Sequence, residues 1–375
     1  MSGPARILVV NAGSSSLKLR VLGPDDALLA SADRPAPRGA TDAVAVAEAI
    51  RGFGDAGAID AVGHRIVHGG TIYSHPVRID ARVVDRLEAL TDLAPLHQPK
   101  SLAALAAVSA VLPDVPAVAC LDTAFHASLP AAASTYALPP EWRKRWDLRR
   151  FGFHGLSHAY ASRRATELLG RPAQGLRLVT CHLGAGASLA AVLDGRSVDT
   201  TMGFTPLEGI VMATRSGSVD PGLVLWLLEH VGMPPAELAA TLEHRSGLLG
   251  LAGTADMRAI LAGAAAGDGD ATLALDVYVH RLRAAIAAMA ASMGGIDALL
   301  FTGGVGERSP VVRALAAKGL GFLGVALDPA RNEAAGPEDR EISADGAAVR
   351  TLVVAAREDL EIAHETREVL AGRPS

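Results

Sequence analysis

Several stretches of this chain carry residue types and spacings suited to handling anions. At Asn11-Ala12-Gly13-Ser14-Ser15-Ser16-Leu17-Lys18, three hydroxyls follow a turn and one cation stands just beyond them. Backbone N–H groups, hydroxyl donors and a lysine together could cradle a phosphate; an ordinary polar hairpin turn is the alternative. A Walker loop would read GxxxxGK[ST] and feed a helix, and no such run occurs, so phosphate held here would sit on a β-hairpin. Gly63–Gly70 (GHRIVHGG) sets Arg65 in a strand flanked by glycines, which suggests a fork aimed at an anion or else a surface salt bridge. Asp122 lies just past a strand end in CLDTAFH, where it could serve chemistry or cap a helix. Phe151–His158 (FGFHGLSH) leads into a helix whose N-terminus could face an anion. Arg215 lies in the Gly/Ser/Thr-rich stretch Asp199–Pro221, where a solvated arginine is the plain alternative. Gly303–Glu307 (GGVGE), between a strand and a helix, has the form of a nucleotide-ribose turn. The formal G-x-G-x-x-G at Gly319 to Gly324 follows a helix instead and reads as chance. His64/His68 and His154/His158 share the HxxxH spacing, but no glutamate stands in the HExxH sense and glycines flank both pairs, so no zinc site is expected.

The elements that must position these residues come in two similar sets. Strand patterns at Ile7–Val10, Leu17–Leu22 and Leu28–Ser31 form a meander, followed by a helix at Asp42–Arg51 and a strand at Ile59–Val67. Helices at Asp80–Leu90 and Ser101–Leu112 and a strand at Val115–Leu121 complete the first set. The second opens the same way: strand at Leu176–His182, a Gly/Ser turn, strands at Leu189–Leu193 and Ser197–Met202. Helices are expected over Pro221–Val231, Pro235–Glu243, Ala255–Leu261 and Ala271–Met293. Then come a strand at Ala298–Phe301, the GGVG turn, a helix at Ser309–Lys318, a loop over Arg331–Gly346, a strand at Thr351–Ala355 and a closing helix at Asp359–Leu370. Such order suits mixed sheets with helices on their faces. Two copies of an α/β unit predict two lobes facing a cleft, whose closure would exclude water from a phosphoryl transfer.

Bulk properties narrow the function. The length of 375 residues suggests two or three domains. A net charge of −5 argues against a general nucleic-acid binder. Two cysteines, Cys120 and Cys181, are too few for a disulfide framework and point to a reducing, cytoplasmic setting. The N-terminus carries no signal-peptide pattern. The Ala-rich run Ala284–Met293 comes nearest to a membrane span, but nearby Arg281, Arg283 and Asp297 favour a buried helix.

Taken together, the motifs resemble the acetate kinase family, within the superfamily that also holds sugar kinases and actin. NAGSSSLK, GHRIVHGG, LAPLHQP, LDTAFH, FGFHGLSH, HLGAGAS, DTTMGFTPLEGIVMATRSG, FTGGVGE and EDLEIA occur in the family's order. The resemblance implies a two-lobed, actin-like (ribonuclease H-like) duplicated α/β fold with an interlobe cleft. Residues 1–122 with 358–375 would form one lobe, and 123–357 a nucleotide-binding lobe. It implies reversible transfer of a phosphoryl group from ATP to acetate, with propionate or another short carboxylate as the alternative acceptor. A nucleotide-binding protein without turnover is the alternative from another class. Asn11 and Glu358 would hold Mg²⁺ (or Mn²⁺), and Ser14, Ser16 and Lys18 would line the phosphate path. Arg65 would grip the acyl carboxylate or phosphate. Val67, Leu96, Phe153 and Pro206 match a small apolar methyl pocket. Asp122 matches the position called the catalytic acid/base, His154 and Arg215 the transition-state stabilisers, and His97 also faces the site. The nucleotide would meet His182, Leu183, Gly184, Ala185 and Gly186, then Asp256, Met257 and Arg258, then Gly304, Val305, Gly306, Glu307 and Arg308. A homodimer is implied as well, and neither nucleic acid nor membrane is an expected partner.

The chain departs from the family pattern at four places. Ala185 replaces an Asn, and a lost side-chain donor near phosphate would weaken binding by roughly 1–3 kcal/mol unless backbone amides suffice. Arg357 replaces an Asn before Glu358, Ser218 an Asp, and Gln98 an Asn. The segment between Asn11 and Arg65 is also short. A carboxylate acceptor with a pKa near ~4 is already ionised at pH 7, so Asp122 is expected to orient the Mg²⁺ shell or its waters rather than to remove a proton. What the acceptor needs is positive charge, since two anions must meet.

Overall fold

A computed structural model describes residues 6–13, 16–35, 43–54, 58–94, 97–334, 336 and 339–372, with only the backbone for Ser16, Pro35 and Ala43. Ser14 and Leu96, both expected at the site, lie outside these residues, as does the side chain of Ser16. The contacts divide the chain into two units, one of residues 1–127, 153–160 and 357–375, the other of 128–152 and 161–356. The expected boundary near residue 123 differs for Phe153–Tyr160, which groups with the first unit.

The first unit holds β1 (Ile7–Ala12), β2 (Ser16–Leu22), β3 (Leu28–Pro35), β4 (Ala61–Ile66), β5 (Val77–Arg78) and β6 (Ala117–Leu121) in one sheet ordered β3-β2-β1-β4-β6-β5. β1, β2 and β3 pair antiparallel, while β4 and β6 run parallel to β1. Strand pleating sends alternate residues to opposite faces, and both faces are buried here. Leu8 and Val10 pack with Val46, Ala49, Ala104 and Val108 beneath the Ala43–Arg51 and Gln98–Val111 helices. Ile7 and Val9 pack on the other side with Leu156, Ile362 and Ala363. Continuous apolar strands are what such two-sided burial requires.

The second unit repeats this plan with β7 (Arg177–Leu183), β8 (Ala187–Leu193), β9 (Arg196–Thr200), β10 (Ala298–Thr302), β11 (Arg340–Glu341) and β12 (Arg350–Val353), ordered β11-β12-β10-β7-β8-β9. An antiparallel meander, β7 to β9, is again flanked by two parallel strands, β10 and β12, with a short antiparallel strand at the edge. The internal duplication expected from the sequence is therefore present strand for strand, in a two-domain α/β fold built on two mixed sheets.

Several local expectations are corrected. GGVG is not a bare turn: Gly303–Arg308 is a short helix running straight from β10. The Arg331–Gly346 stretch contains the end of the Pro329–Glu333 helix and β11. The helix expected from Ser101 begins at Gln98, with Pro in its first turn, where a missing N–H costs nothing. Gly247–Ala265 is long and apolar enough in composition to cross a membrane. The chain breaks there at Gly253, in the left-handed region, and Asp256 caps a new helix by accepting from the Arg258 N–H.

The first unit also buries three neutral histidines. Burial holds His64 at a pKa of about 3 and His68 and His126 at about 4, against an ordinary 6.5. The unfolded chain therefore takes up protons that the folded unit refuses. This contribution is complete above pH 6.5 and is lost as the pH falls toward 4. At pH 5.5 each histidine removes up to about 1.4 kcal/mol. The urea midpoint is expected to drop between pH 7.5 and 5.5, and an unchanged midpoint would contradict the buried neutral state.

Candidate active site

The centre of the first unit is a four-residue polar cluster. Asn11 lies one residue from the end of β1, Arg65 lies in β4, Asp122 follows β6 and Glu358 opens the Glu358–Leu370 helix, so four elements deliver one side chain each. Because β1, β4 and β6 are parallel neighbours, their C-terminal ends lie side by side. Arg65 Nε donates to both Asp122 oxygens at 3.1 and 3.0 Å, and its Nη2 donates to Oδ2 at 2.5 Å. Its Nη1 donates to Asn11 Oδ1 at 3.2 Å, and Asn11 Nδ2 donates to Glu358 Oε2 at 2.7 Å. Burial pushes the Asp122 carboxyl above its ordinary range, opposed by the Arg65 guanidinium and reinforced by Glu358. Burial also opposes the charge on Arg65, but the Asp122 and Glu358 carboxylates more than restore it. The guanidinium keeps its charge because it does not give up its proton, and its hydrogen bonds favour the ionised carboxylate against burial. The hydrogen bonds of the Asp122 carboxylate thus go to Arg65, a partner that the sequence did not suggest for it.

His154 stands beside this cluster in a strained backbone. Its φ is +58°, a conformation that non-glycine residues rarely adopt and that concentrates at functional sites. The next residue holds it there: the Gly155 N–H donates to the Asp122 carbonyl at 2.8 Å. A Cβ on Gly155 would come within 2.3 Å of that oxygen, so only glycine allows the approach. Val67 and Phe153, the expected methyl-pocket residues of this unit, are both buried, at 5% and 2% exposure. Lys18 is exposed and stands opposite Asn11 in the β1–β2 ladder. His97 caps the Gln98–Val111 helix through its backbone alone.

Gln98 is a positioning residue that sequence reasoning noted only as a departure. It is fully buried, its Oε1 accepts from the His68 N–H, and its Nε2 donates to the carbonyls of His68 and Leu87. Thr123 Oγ1 accepts from the Gly69 N–H. The HGG turn after Val67 is thereby fixed from both sides.

The second unit presents the expected nucleotide residues at the ends of its own parallel strands. β7 ends at His182-Leu183 beside the end of β10, with Thr302 opposite His182. This brings the Gly184–Gly186 turn and the Gly303–Arg308 helix together. Ala185 is exposed, and its carbonyl accepts from the Ala213 N–H. Asp256 and Arg258 pair with each other at the surface, whereas Met257, expected at the nucleotide, is buried in the core at 6% exposure. Arg215 Nε donates to Glu243 Oε1 at 2.7 Å, and Nη1 donates to the carbonyl of Pro206 at 3.5 Å.

Arg313 was not singled out from the sequence. It is 1% exposed and, among the described residues, no carboxylate is a hydrogen-bond partner. Nη1 donates to the Gly306 and Glu307 carbonyls, Nε to Asn332 Oδ1 and Nη2 to the Asn332 carbonyl. Those carbonyls close the Gly303–Arg308 helix, whose last C=O groups lack partners within it. Burial lowers the Arg313 pKa to about 10, and a charge in such a place is costly unless hydrogen-bonded throughout. A lone arginine among alanines in a helix gives no sequence signal of this.

Among the described residues no group of three or more histidines, cysteines or carboxylates is placed to hold a metal. The sequence matches the Acetokinase family model over residues 51–364. An acetate kinase from Gloeobacter violaceus is 50% identical over 317 residues, covering 84% of this chain and 78% of that protein. One from Geobacillus kaustophilus is 43% identical across 96% of this chain and 98% of that protein. The crystal structure of Porphyromonas gingivalis acetate kinase superposes with a TM-score of 0.89 at 35% identity, covering 98% of this chain and all of that one. A propionate kinase from Francisella tularensis gives 0.88 at 32%, covering 98% of this chain and all of that one.

Proposed function

This chain belongs to the acetokinase family, and from that premise we propose that it transfers a phosphoryl group reversibly between ATP and acetate, giving ADP and acetyl phosphate. The observation that carries the chemistry is the Asn11–Arg65–Asp122–Glu358 cluster, in which a largely buried guanidinium and two carboxylates meet at the ends of three parallel strands. Phosphoryl transfer asks little covalent work of a protein; positioning and charge neutralisation do most of it. Arg65 presents positive charge to the acyl or phosphate oxygens. Asp122 holds Arg65 in place and need not remove a proton, because the acceptor is already a carboxylate. His154 and Arg215 stabilise the charge that spreads over the transferring group. His182–Gly186 and Gly304–Arg308 hold the nucleotide, with Asp256 and Arg258 at its edge, and Lys18 lies on the phosphate path.

Asn11 offers a side-chain carbonyl oxygen and Glu358 a carboxylate, and the two side chains meet through Asn11 Nδ2 and Glu358 Oε2 at 2.7 Å. Oxygen ligands of this kind fit Mg²⁺, which takes one or two of them and completes its shell with water and phosphate. Bound there, the ion would supply neutralisation of phosphate charge. Formation of acetyl hydroxamate from acetate, ATP, Mg²⁺ and hydroxylamine tests the reading. Its absence with a folded protein would leave a nucleotide-binding protein without turnover.

Val67 sets the acyl specificity in this reading. Val67→Ala enlarges the methyl site and is expected to raise kcat/KM for propionate relative to acetate about 10-fold, the scale of one or two methylenes in an apolar pocket. An unchanged ratio would take Val67 out of the pocket. The Pro221–Glu229 helix exposes Leu223, Leu225 and Trp226, with Val231 just beyond. This apolar face supports a homodimer, and a monomer mass by light scattering would remove it. Two buried free thiols, Cys120 and Cys181, support a reducing, cytoplasmic setting; fractionation that places the protein elsewhere would overturn that.

A further inference from the structure

We infer that Glu243 is a positioning residue for catalysis, acting through Arg215 on the phosphoryl-transfer step. The inference rests on the reading of Arg215 as the transition-state cation. Glu243 lies in the last turn of the Pro235–His244 helix, 28 residues beyond Arg215. Its Oε1 accepts from Arg215 Nε at 2.7 Å, with both side chains about one-seventh exposed.

The backbone around the pair is stitched shut. The Ser216 N–H donates to the Leu242 carbonyl and Thr214 Oγ1 to the Glu243 carbonyl. Ser246, Leu248 and Leu249 return N–H bonds to the carbonyls of Thr214, Met212 and Ala213. Gly247, at φ +62°, lets the strands of this knot touch: a Cβ there would lie 2.3 Å from the Met212 carbonyl oxygen and 2.5 Å from that of Arg215. Arg215 is therefore mounted on a rigid base, and Glu243 is part of the same base.

The chemistry follows from which edge of the guanidinium is used. A guanidinium forks an anion with two parallel N–H groups. Glu243 engages the Nε side, and a fork on phosphoryl oxygens through Nη1 and Nη2 uses the other edge of the guanidinium. Nη1 donates to the Pro206 carbonyl at 3.5 Å and to Met212 Sδ at 3.7 Å, contacts that a phosphoryl oxygen could replace. The carboxylate, placed at the Nε side, keeps its charge behind the guanidinium and away from the incoming anion. Glu243 thus removes the rotational freedom of a long side chain without competing for its working edge.

The test is a double-mutant cycle on the full enzyme, read in the acetyl phosphate-forming direction. Glu243→Ala is expected to lower kcat about 10–100-fold, the scale of a misplaced catalytic group, with both KM values within about twofold. Glu243→Gln still accepts from Nε and is expected to recover most of the loss. In an Arg215→Ala background, Glu243→Ala should add nothing, because a residue acting only through Arg215 has nothing left to hold. An Arg215→Ala enzyme crippled beside a Glu243→Ala enzyme of normal kcat overturns the inference alone. A further proportional loss in the double variant does the same. Normal turnover in Arg215→Ala overturns both this inference and the reading on which it rests.

Discussion

Replacing Arg215 with alanine is expected to lower kcat for acetyl phosphate formation by about 10³–10⁵, while the protein stays folded. An arginine at a phosphoryl-transfer transition state has that value, equivalent to roughly 4–7 kcal/mol of barrier. The fold should survive because the loop is held by backbone bonds from Met212, Ala213, Thr214 and Ser216 that do not involve the guanidinium. The cost to stability is the loss of one partner of a largely buried ion pair, at most about 3–5 kcal/mol. Arg215→Lys is a sharper comparison. A lysine is a point charge that cannot both satisfy Glu243 and fork two phosphoryl oxygens, so it should restore only a small part of the rate. Wild-type kcat in either variant, with an unchanged circular dichroism spectrum, would remove Arg215 from the chemistry.

The second large effect is expected at Asp122. Asp122→Asn keeps the shape but removes the charge that balances Arg65 in a site where Asp122 itself is 1% exposed. An amide can accept from Arg65 at one atom only and turns N–H donors toward a guanidinium that has no acceptor. Arg65 would rotate off its present geometry, and a misplacement of that kind costs on the order of 10² in rate. Breaking a buried pair from one side also costs about 3–5 kcal/mol of stability, visible as a lower urea midpoint. The pH profile separates holding from proton removal. A general base would give wild-type kcat an acidic limb that disappears in Asp122→Asn, whereas a carboxylate that only secures Arg65 leaves the two profiles parallel. Retention of kcat in Asp122→Asn would sink the account of the cluster.

What could be read in the sequence depended on the range of the signal. The strands were legible because burial on both faces makes them continuous apolar runs, as at Ile7–Val10, and the duplication was legible from the repeated order of strand, Gly/Ser turn and strand. The collinear motifs pointed to Asn11, Arg65, Asp122 and Glu358, which the structure brings into one hydrogen-bonded cluster. What local pattern did not give falls where the deciding contact is distant. The burial of Met257 follows from the amphipathic Met257–Ala265 helix, which must bury one side. GGVG reads as a turn, yet it is helical, with its carbonyls capped by Arg313 from the following helix.

By itself the sequence determined the class of the fold and the family, and named the polar residues that the structure gathers around Arg65, since those follow from local pattern and composition. Only the tertiary structure decided who holds whom. Arg65 could grip a substrate alone or be seated by Asp122, Arg215 could be solvated or anchored by Glu243, and Gln98 could be a neutral replacement or a clamp on His68. Each alternative has the same local sequence. They differ in a hydrogen bond across 28 to 57 residues, whose strength depends on the exclusion of water, and water is excluded only after the sheets and helices have packed.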